Sequence, residues 1–269
     1  MKIIHFSDTH EAGSPESWRG FLDKRLLGFL NCFFARGRLH SQELLERAVA
    51  KFIEIKPDLV VCTGDLTTSG QPGEFKRSLS RLAPLMKSGI PMLYLPGNHD
   101  SYVSDPACGK ALEKAFDTLN GGRFKLSELP QAFDLGCCRI IAINCARPTM
   151  PMLSCGFMDQ ETSDFVVSEC DSPKTKPFRV VVGHFPLHER HPWKRFRHKL
   201  YGHDSVVRLL KSGAVDLSLC GHVHRPYTLL DDKGRGEVCA GALTRFGSFS
   251  VLDFDPSGGL IRHVASSIL

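Results

Sequence analysis

No stretch of this 269-residue chain reaches the roughly 18 consecutive apolar residues that a membrane-spanning helix needs. No secretory leader is expected either: the start, MKIIHFSDTH, has too short an apolar run, and Asp8 interrupts it. None of the ten cysteines forms a close CxxC pair, which argues against a disulfide framework. Cys62, Cys145 and Cys220 lie inside apolar runs and read as buried, reduced thiols. Internal repeats, low-complexity tracts and linkers are lacking as well. The expectation is a cytoplasmic protein folded as a single domain over 1–269.

What is present is ordinary globular material, 42% hydrophobic and 23% charged, enough for a sizeable core. The net charge of +5 is modest but unevenly placed. Residues 19–40 carry Arg19, Lys24, Arg25, Arg36 and Arg38 against Asp23, and residues 189–199 carry Arg190, Lys194, Arg195, Arg197 and Lys199 against Glu189. Each window is +4, so the rest of the chain is −3. Such local basic character suits an anionic substrate or surface rather than a general nucleic-acid coat.

Short apolar, β-branched runs alternate with helical segments. KIIHFS (2–7), DLVVCTG (58–64), PMLYLPG (91–97), RIIAIN (139–144), FRVVVG (178–183) and VDLSLCG (215–221) read as buried strands. Ser41 stands as an N-cap before QELLERAVAKFIEI, with Pro57 stopping that helix, and Asp159 and Asp204 are placed to cap two later helices. From Arg225 onward, four strand-like pieces separated by DDKGRG and DPSGG read as an antiparallel meander. The pattern predicts one α/β domain with a mixed sheet or a pair of sheets.

Five segments place an acid, amide or imidazole just after an apolar strand: FSDTH (6–10), CTGDL (62–66), LPGNHD (95–100), VVGHFP (181–186) and LCGHVHRP (219–226). Sites in α/β sheets gather outside the carboxyl ends of strands, so these five can converge. Asp8 and His10 are two apart, as are His222 and His224, and in extended backbone such pairs point the same way. Pooled, Asp8, His10, Asp65, Asn98, His184, His222 and His224 form a mixed nitrogen and oxygen donor set without thiolate. That set suits Mn²⁺, Fe, Zn²⁺ or Ni²⁺ and disfavours Ca²⁺. Seven donors exceed the need of one ion with an open position, so two ions sharing a carboxylate are expected. Taken singly, each piece also fits a capping acid or a core imidazole; the conjunction at five successive strand ends carries the metal reading.

In this order the segments resemble the motifs of the calcineurin-like metallophosphoesterases, from Lys2 to about Pro226. The resemblance implies a four-layer αββα sandwich of mixed sheets, with a dinuclear metal site at the strand carboxyl ends. It assigns Asp8, His10, Asp65 and His224 to a first metal and Asp65, Asn98, His184 and His222 to a second, with Asp65 bridging. It further implies hydrolysis of a phosphoric ester or pyrophosphate by a hydroxide held between two ions, Mn²⁺ being favoured. His99 would then be proton donor or stabiliser of the phosphoryl oxygens, and Asp100 is placed to orient its imidazole or only to cap the following turn.

The substrate stays open between several classes. FLDKRLLGFLNCFF (21–34) falls within residues 11–40, extra material between the first two motifs. On a helical wheel Leu22, Leu26, Phe29, Leu30 and Phe33 share one face, which Leu27 and Phe34 widen, with Lys24, Gly28, Asn31 and Ala35 opposite. That stripe fits a core-packed helix, and it equally fits a cap that meets lipid or a greasy substrate, including peripheral contact with the inner membrane face. The second basic window, with Trp193, follows His184 and is placed to meet substrate phosphates, or it is a solvated loop. Among family members, the UDP-2,3-diacylglucosamine pyrophosphatases of lipid A synthesis act on such an anionic amphiphile, although their better-known form usually has arginine where His99 stands. A small-molecule phosphate ester, cyclic nucleotides included, is the alternative substrate, and a non-catalytic scaffold is a third reading. Nucleic acid is disfavoured because the basic windows lack interleaved stacking aromatics beyond Trp193 and two Phe pairs.

Overall fold

The computed structural model describes residues 1–31, 40–171, 173, 176–188, 195–255 and 259–268. Residues 30, 31, 195, 196, 259 and 261 are described by their backbone alone. Arg36, Arg38, Phe33, Phe34, Arg190, Trp193 and Lys194, on which parts of the basic and amphipathic readings rest, lie outside the described residues.

Two sheets carry the fold. The first has the order β13-β12-β1-β2-β3, built from β1 (Lys2–Phe6), β2 (Leu59–Cys62), β3 (Met92–Tyr94), β12 (Ser248–Asp255) and β13 (Gly259–Ser267). The second has the order β10-β11-β9-β7-β5-β4, from β4 (Gln131–Leu135), β5 (Cys138–Ala142), β7 (Phe178–Val182), β9 (Leu217–Cys220), β10 (Tyr227–Leu230) and β11 (Gly236–Cys239). The six apolar runs picked from the sequence supply β1, β2, β3, β5, β7 and β9. In the first sheet β1, β2 and β3 run parallel, as do β5, β7, β9 and β11 in the second. Their carboxyl ends therefore deliver the following residues to one edge of each sheet.

The alternation of strand side chains sorts the core into layers. Ile140, Val180 and Val182 join the large cluster between the sheets, whereas Ile141 and Val181 point to the outer cluster with Val166 and Val206. A sheet buried on both faces needs apolar residues at every position, which is why these strands read as continuous hydrophobic runs. Phe178 on β7 meets Phe254 on β12 across the sheets, with ring centroids 5.2 Å apart. Outside the first sheet lie α2 (Gln42–Ile55), α3 (Pro72–Lys87) and α4 (Pro106–Asn120), which pack in sequence against one another; α5 (Gln160–Asp171) and α7 (Asp204–Ser212) pair outside the second. The result is the four-layer αββα arrangement.

Two sequence expectations are corrected. The tail is not one meander: β10 and β11 form a hairpin in the second sheet, where β11 pairs parallel with β9. By contrast, β12 and β13 form a hairpin in the first, where β12 lies antiparallel to β1. Turn chemistry marks each hairpin but carries no information about which sheet accepts it. Asp204 does not cap α7; the N-cap position belongs to His203, and Asp204 sits in the first turn. Ser41 does take the N-cap position of α2, although its side chain makes no capping bond and its amide donates to Thr244 O at 2.7 Å. Asp159 caps as expected, accepting from the Thr162 amide at 2.8 Å. The nine described cysteines are free, and all but Cys170 are buried.

Phe52 on α2 is fully buried between Phe6 and Phe249, with centroids at 5.4 and 5.0 Å. Phe52→Ala is expected to lower unfolding free energy by about 3–5 kcal/mol, measured by urea titration. A loss below about 1 kcal/mol would show that this ring contributes little to joining helix and sheet.

Candidate metal centre

Each of the five parallel strand ends hands over its polar residues within a few positions. Asp8 and His10 follow β1, Asp65 follows β2, Asn98 follows β3, His184 follows β7, and His222 and His224 follow β9. The backbone there is not extended, contrary to the sequence argument from i and i+2. Asp8, His10, Asp65, His222 and His224 all have positive φ, between 48° and 69°. They make up five of the seven non-glycine residues in that region among those described. Left-handed backbone costs roughly 1–2 kcal/mol per L-residue, and Asp, Asn and His tolerate it best. Concentrated here, it turns each chain sharply back so that paired side chains converge.

Backbone bonds lock these turns together. The Asp8 amide donates to Gly64 O at 2.9 Å and the His10 amide to Asp65 O at 2.9 Å. Each carboxylate is then pinned by one oxygen. The His222 amide donates to Asp8 Oδ2 at 3.0 Å, and the His99 amide to Asp65 Oδ1 at 2.8 Å. The remaining oxygens, Asp8 Oδ1 and Asp65 Oδ2, are buried and receive no hydrogen bond.

Imidazole nitrogens surround those two oxygens. Asp8 Oδ1 lies 3.7 Å from His10 Nε2 and 3.5 Å from His224 Nε2, and Asp65 Oδ2 lies 3.4 Å from His184 Nε2 and 3.9 Å from His10 Nε2. Asn98 Oδ1 stands 3.1 Å from His184 Nε2 and 2.9 Å from His222 Nδ1. The far ring nitrogens face carbonyls, Thr67 O for His10, Thr63 O for His184 and His198 O for His222. A ring that donates its proton outward to a carbonyl turns a lone pair inward.

The electrostatics conflict without a cation. Burial raises Asp8 above the usual carboxylate range against the pull of His224 and His184. Asp65 is held well below that range, because the attraction of His184 and His99 overcomes burial. Burial opposes a charge on His184, yet Asp65 and Asp8 lift it to about 9. Burial drives His224 down to about 3 and keeps His222 well below its ordinary value, so both stay neutral. Unpaired carboxylate oxygens beside neutral imidazoles with inward lone pairs are what a dication resolves. The donor atoms fall into two groups, Asp8, His10, Asp65 and His224, then Asp65, His184 and His222, with Asp65 common to both. Together with Asn98, the buried cluster fits a dinuclear divalent metal site.

His99 and Asp100 part company. His99 Nδ1 lies 2.6 Å from Thr68 O, its ring is stacked on Tyr102 with centroids 5.4 Å apart, and its edge meets His10. Asp100 does not reach that ring; its oxygens accept from the amides of Leu66, Thr67 and Gly97 and from Thr67 Oγ1. The expected orienting role therefore passes to Thr68, and Asp100 holds the two ligand-bearing loops against each other. His40, whose ring centroid lies 5.1 Å from that of His10, and Tyr102 also line the cavity at the centre. No motif marks either one, because both lie outside the strand-end segments and reach the site only through the fold.

A model of the calcineurin-like phosphoesterase family matches residues 1–226. The chain belongs to that family. A cAMP/cGMP dual specificity phosphodiesterase of Mycobacterium tuberculosis is 32% identical over 99 residues, 36% of this chain and 26% of that protein. The glycerophosphodiester phosphodiesterase GpdQ of Enterobacter lignolyticus is 32% identical over 108 residues, 40% of this chain and 31% of that protein. The matched stretch thus spans less than a third of either relative's length. A dimetal phosphatase from Danio rerio superposes with a TM-score of 0.67 over 100% of this chain and 99% of that one, at 14% identity. Purple acid phosphatase PPD1 of yellow lupin gives 0.57 over 100% of this chain and 46% of that one, at 15% identity. These likenesses are of fold.

Gly97 offers a test of the shared carboxylate. A Cβ there would overlap Asp65 Oδ1 and crowd the Asp65 amide. Gly97→Ala is expected to displace Asp65 and cut metal content from two ions per chain to one or none, measured by inductively coupled plasma mass spectrometry. Retention of both ions would contradict the shared role of Asp65.

Proposed function

We propose that this chain is a metal-dependent phosphoesterase acting on a phosphodiester or pyrophosphate bond of an anionic amphiphile, with a lipid-linked nucleotide such as UDP-2,3-diacylglucosamine as the favoured class. Asp8, His10, Asp65 and His224 would hold one divalent ion and Asp65, Asn98, His184 and His222 the other, Mn²⁺ suiting this donor set, with Fe, Zn²⁺ or Ni²⁺ as alternatives. Ions bound there would polarise the phosphoryl group and lower the pKa of water to roughly 7. His99 is placed for that chemistry: Nδ1 engages Thr68 O, and the ring lines the cavity beside His10. A protonated His99 would deliver the Nε2 proton to the departing oxygen while Thr68 and the stacked Tyr102 keep the ring in place.

The observation that carries the amphiphile is the rim of the cavity. The cavity, of about 500 Å³, is lined by His10 and His99 and also by Lys24, Leu27, Gly28 and Met152. Helix α1 (Lys24–Asn31), which follows a short 3-10 turn (Trp18–Phe21), supplies Lys24, Leu27 and Gly28 to that lining. Trp18, Phe21, Leu22, Leu27, Met150 and Met152 are all more than half exposed. In this segment Lys24 and Arg25 are buried, Leu26 and Phe29 are half-buried, and Leu22 and Leu27 face out, which supports an outward apolar strip beside the packed one. Exposed large apolar residues beside the exposed Arg19 suit a headgroup boundary or an acyl chain. Among the described residues no helix is long and apolar enough to cross a membrane, so contact of this kind would be peripheral. A second reading, a small soluble diester such as a cyclic nucleotide, draws on the local likeness to the two phosphodiesterases.

Mn²⁺-loaded enzyme assayed on UDP-2,3-diacylglucosamine, cAMP and bis(p-nitrophenyl) phosphate separates the readings. The amphiphile is expected to lead in kcat/KM by about tenfold or more, a difference of about 1.4 kcal/mol in transition-state binding. A lead for cAMP would favour the soluble reading. His99→Ala is expected to keep both metals and lower kcat about 10²–10⁴-fold, whereas unchanged turnover or lost metal would remove His99 from proton transfer.

A further inference from the structure

Among the described residues Lys24 forms no ion pair, although Asp23 next to it attracts its charge from beyond contact distance. It retains 9% exposure, and burial lowers its pKa to about 8 from the usual lysine value. Buried ammonium groups are normally paired with a carboxylate. The neighbouring Asp23 gives its oxygens to Arg25 instead, and Arg25 also reaches Asp105 at 3.2 Å. Among the described residues no carboxylate lies within ion-pair distance of Lys24. Its partners are neutral: Thr149 O at 2.8 Å and the face of Tyr102, whose centroid is 4.2 Å from Nζ. An ammonium carries three N–H donors, and one carbonyl together with one ring face leaves donor capacity unused.

The place of that charge is defined by rings. Tyr102 stacks on His99 at an interplanar angle of 10°, and His99 meets His10 edge-on at 4.9 Å. The ammonium thus stands a short chain of ring contacts from the donor cluster, and Lys24 is among the residues that line the cavity shared with His10 and His99. Tyr102 also donates its hydroxyl to Lys24 O at 3.3 Å, tying this ring to the backbone of α1. Arg197 lines the same cavity, its Nε committed to Met152 O at 2.9 Å.

We propose that Lys24 is a second anion subsite, binding a charged group of the substrate other than the phosphorus under attack, so that the centre selects diphosphate esters over compounds with a single phosphate. The inference rests on the reading of the centre as a phosphoesterase site and is independent of whether the substrate carries lipid. With one phosphate at the dinuclear cluster, a second reaches the cavity wall and meets the ammonium, which exchanges neutral partners for an anion.

The test is isothermal titration calorimetry of Mn²⁺-loaded wild type, K24M and K24Q with two probes, UMP and a methylene-bridged UDP analogue. Wild type is expected to bind the UDP analogue more tightly than UMP. Each variant should weaken the UDP analogue by about 10- to 100-fold, the worth of a hydrogen bond to a charged group, and UMP by no more than about twofold. Equal weakening of both probes, unchanged binding of both, or a wild type that binds both equally would overturn the subsite while leaving the phosphate-binding centre standing. Failure of wild type to bind either probe would overturn the reading of the centre, and the subsite with it. The wild-type preference and the two neutral replacements keep the result decisive if one variant does not fold.

Discussion

Two buried oxygens, Asp8 Oδ1 and Asp65 Oδ2, have no hydrogen-bond donor, and the surrounding fold is arranged to hold them that way. An unsatisfied buried acceptor costs about 1–3 kcal/mol, more when it is charged. Nothing local would keep two carboxylates and four imidazoles turned toward one another. The constraint is applied from outside, by amides that pin the opposite carboxylate oxygens, by carbonyls that orient three of the rings, and by left-handed turns at five of the ligand positions. Those turns are anchored on parallel strands whose side chains fill both core clusters. Folding strain and electrostatic conflict are thereby concentrated where a cation relieves them.

Asp100 shows how far that support extends. Its carboxyl is fully buried and receives three amides and one hydroxyl, joining the loop after β2 to the loop after β3. Burial and the nearby Asp65 charge push it above the usual carboxylate range, against those hydrogen bonds. The residue next to His99 in sequence therefore acts on Asp65 and Asn98 through the backbone. Thr68, reached from the neighbouring loop, is what fixes the imidazole.

How much of this was legible in the sequence depends on the range of the cause. Strands buried on both faces need unbroken apolar runs, so β1, β2, β3, β5, β7 and β9 could be read directly. The seven donors could be found because parallel strand ends point to one edge, and the four-layer arrangement followed from the family resemblance. What escaped is set by partners distant in sequence: the sheet that accepts each terminal hairpin, the Thr68 carbonyl behind His99, and the approach of His40 and Tyr102. The backbone conformation of Asp8, His10, His222 and His224 was misjudged because spacing by two looks alike in a strand and in a tight left-handed turn. The segment from Phe21 stayed open between two packings for a related reason. A helical wheel sorts residues by face but does not say which face meets protein, and here Tyr102 and Thr149 draw Lys24 inward and leave Leu27 outside.

The claim on which the rest depends is that the opposed carboxylates and imidazoles hold two ions through Asp65. Electron paramagnetic resonance of wild-type protein titrated with Mn²⁺ tests it directly. Two ions about 3.5–4 Å apart should give an exchange-coupled spectrum that saturates at two equivalents per chain. Saturation at one equivalent with only an isolated six-line Mn²⁺ signal would contradict a shared dinuclear centre.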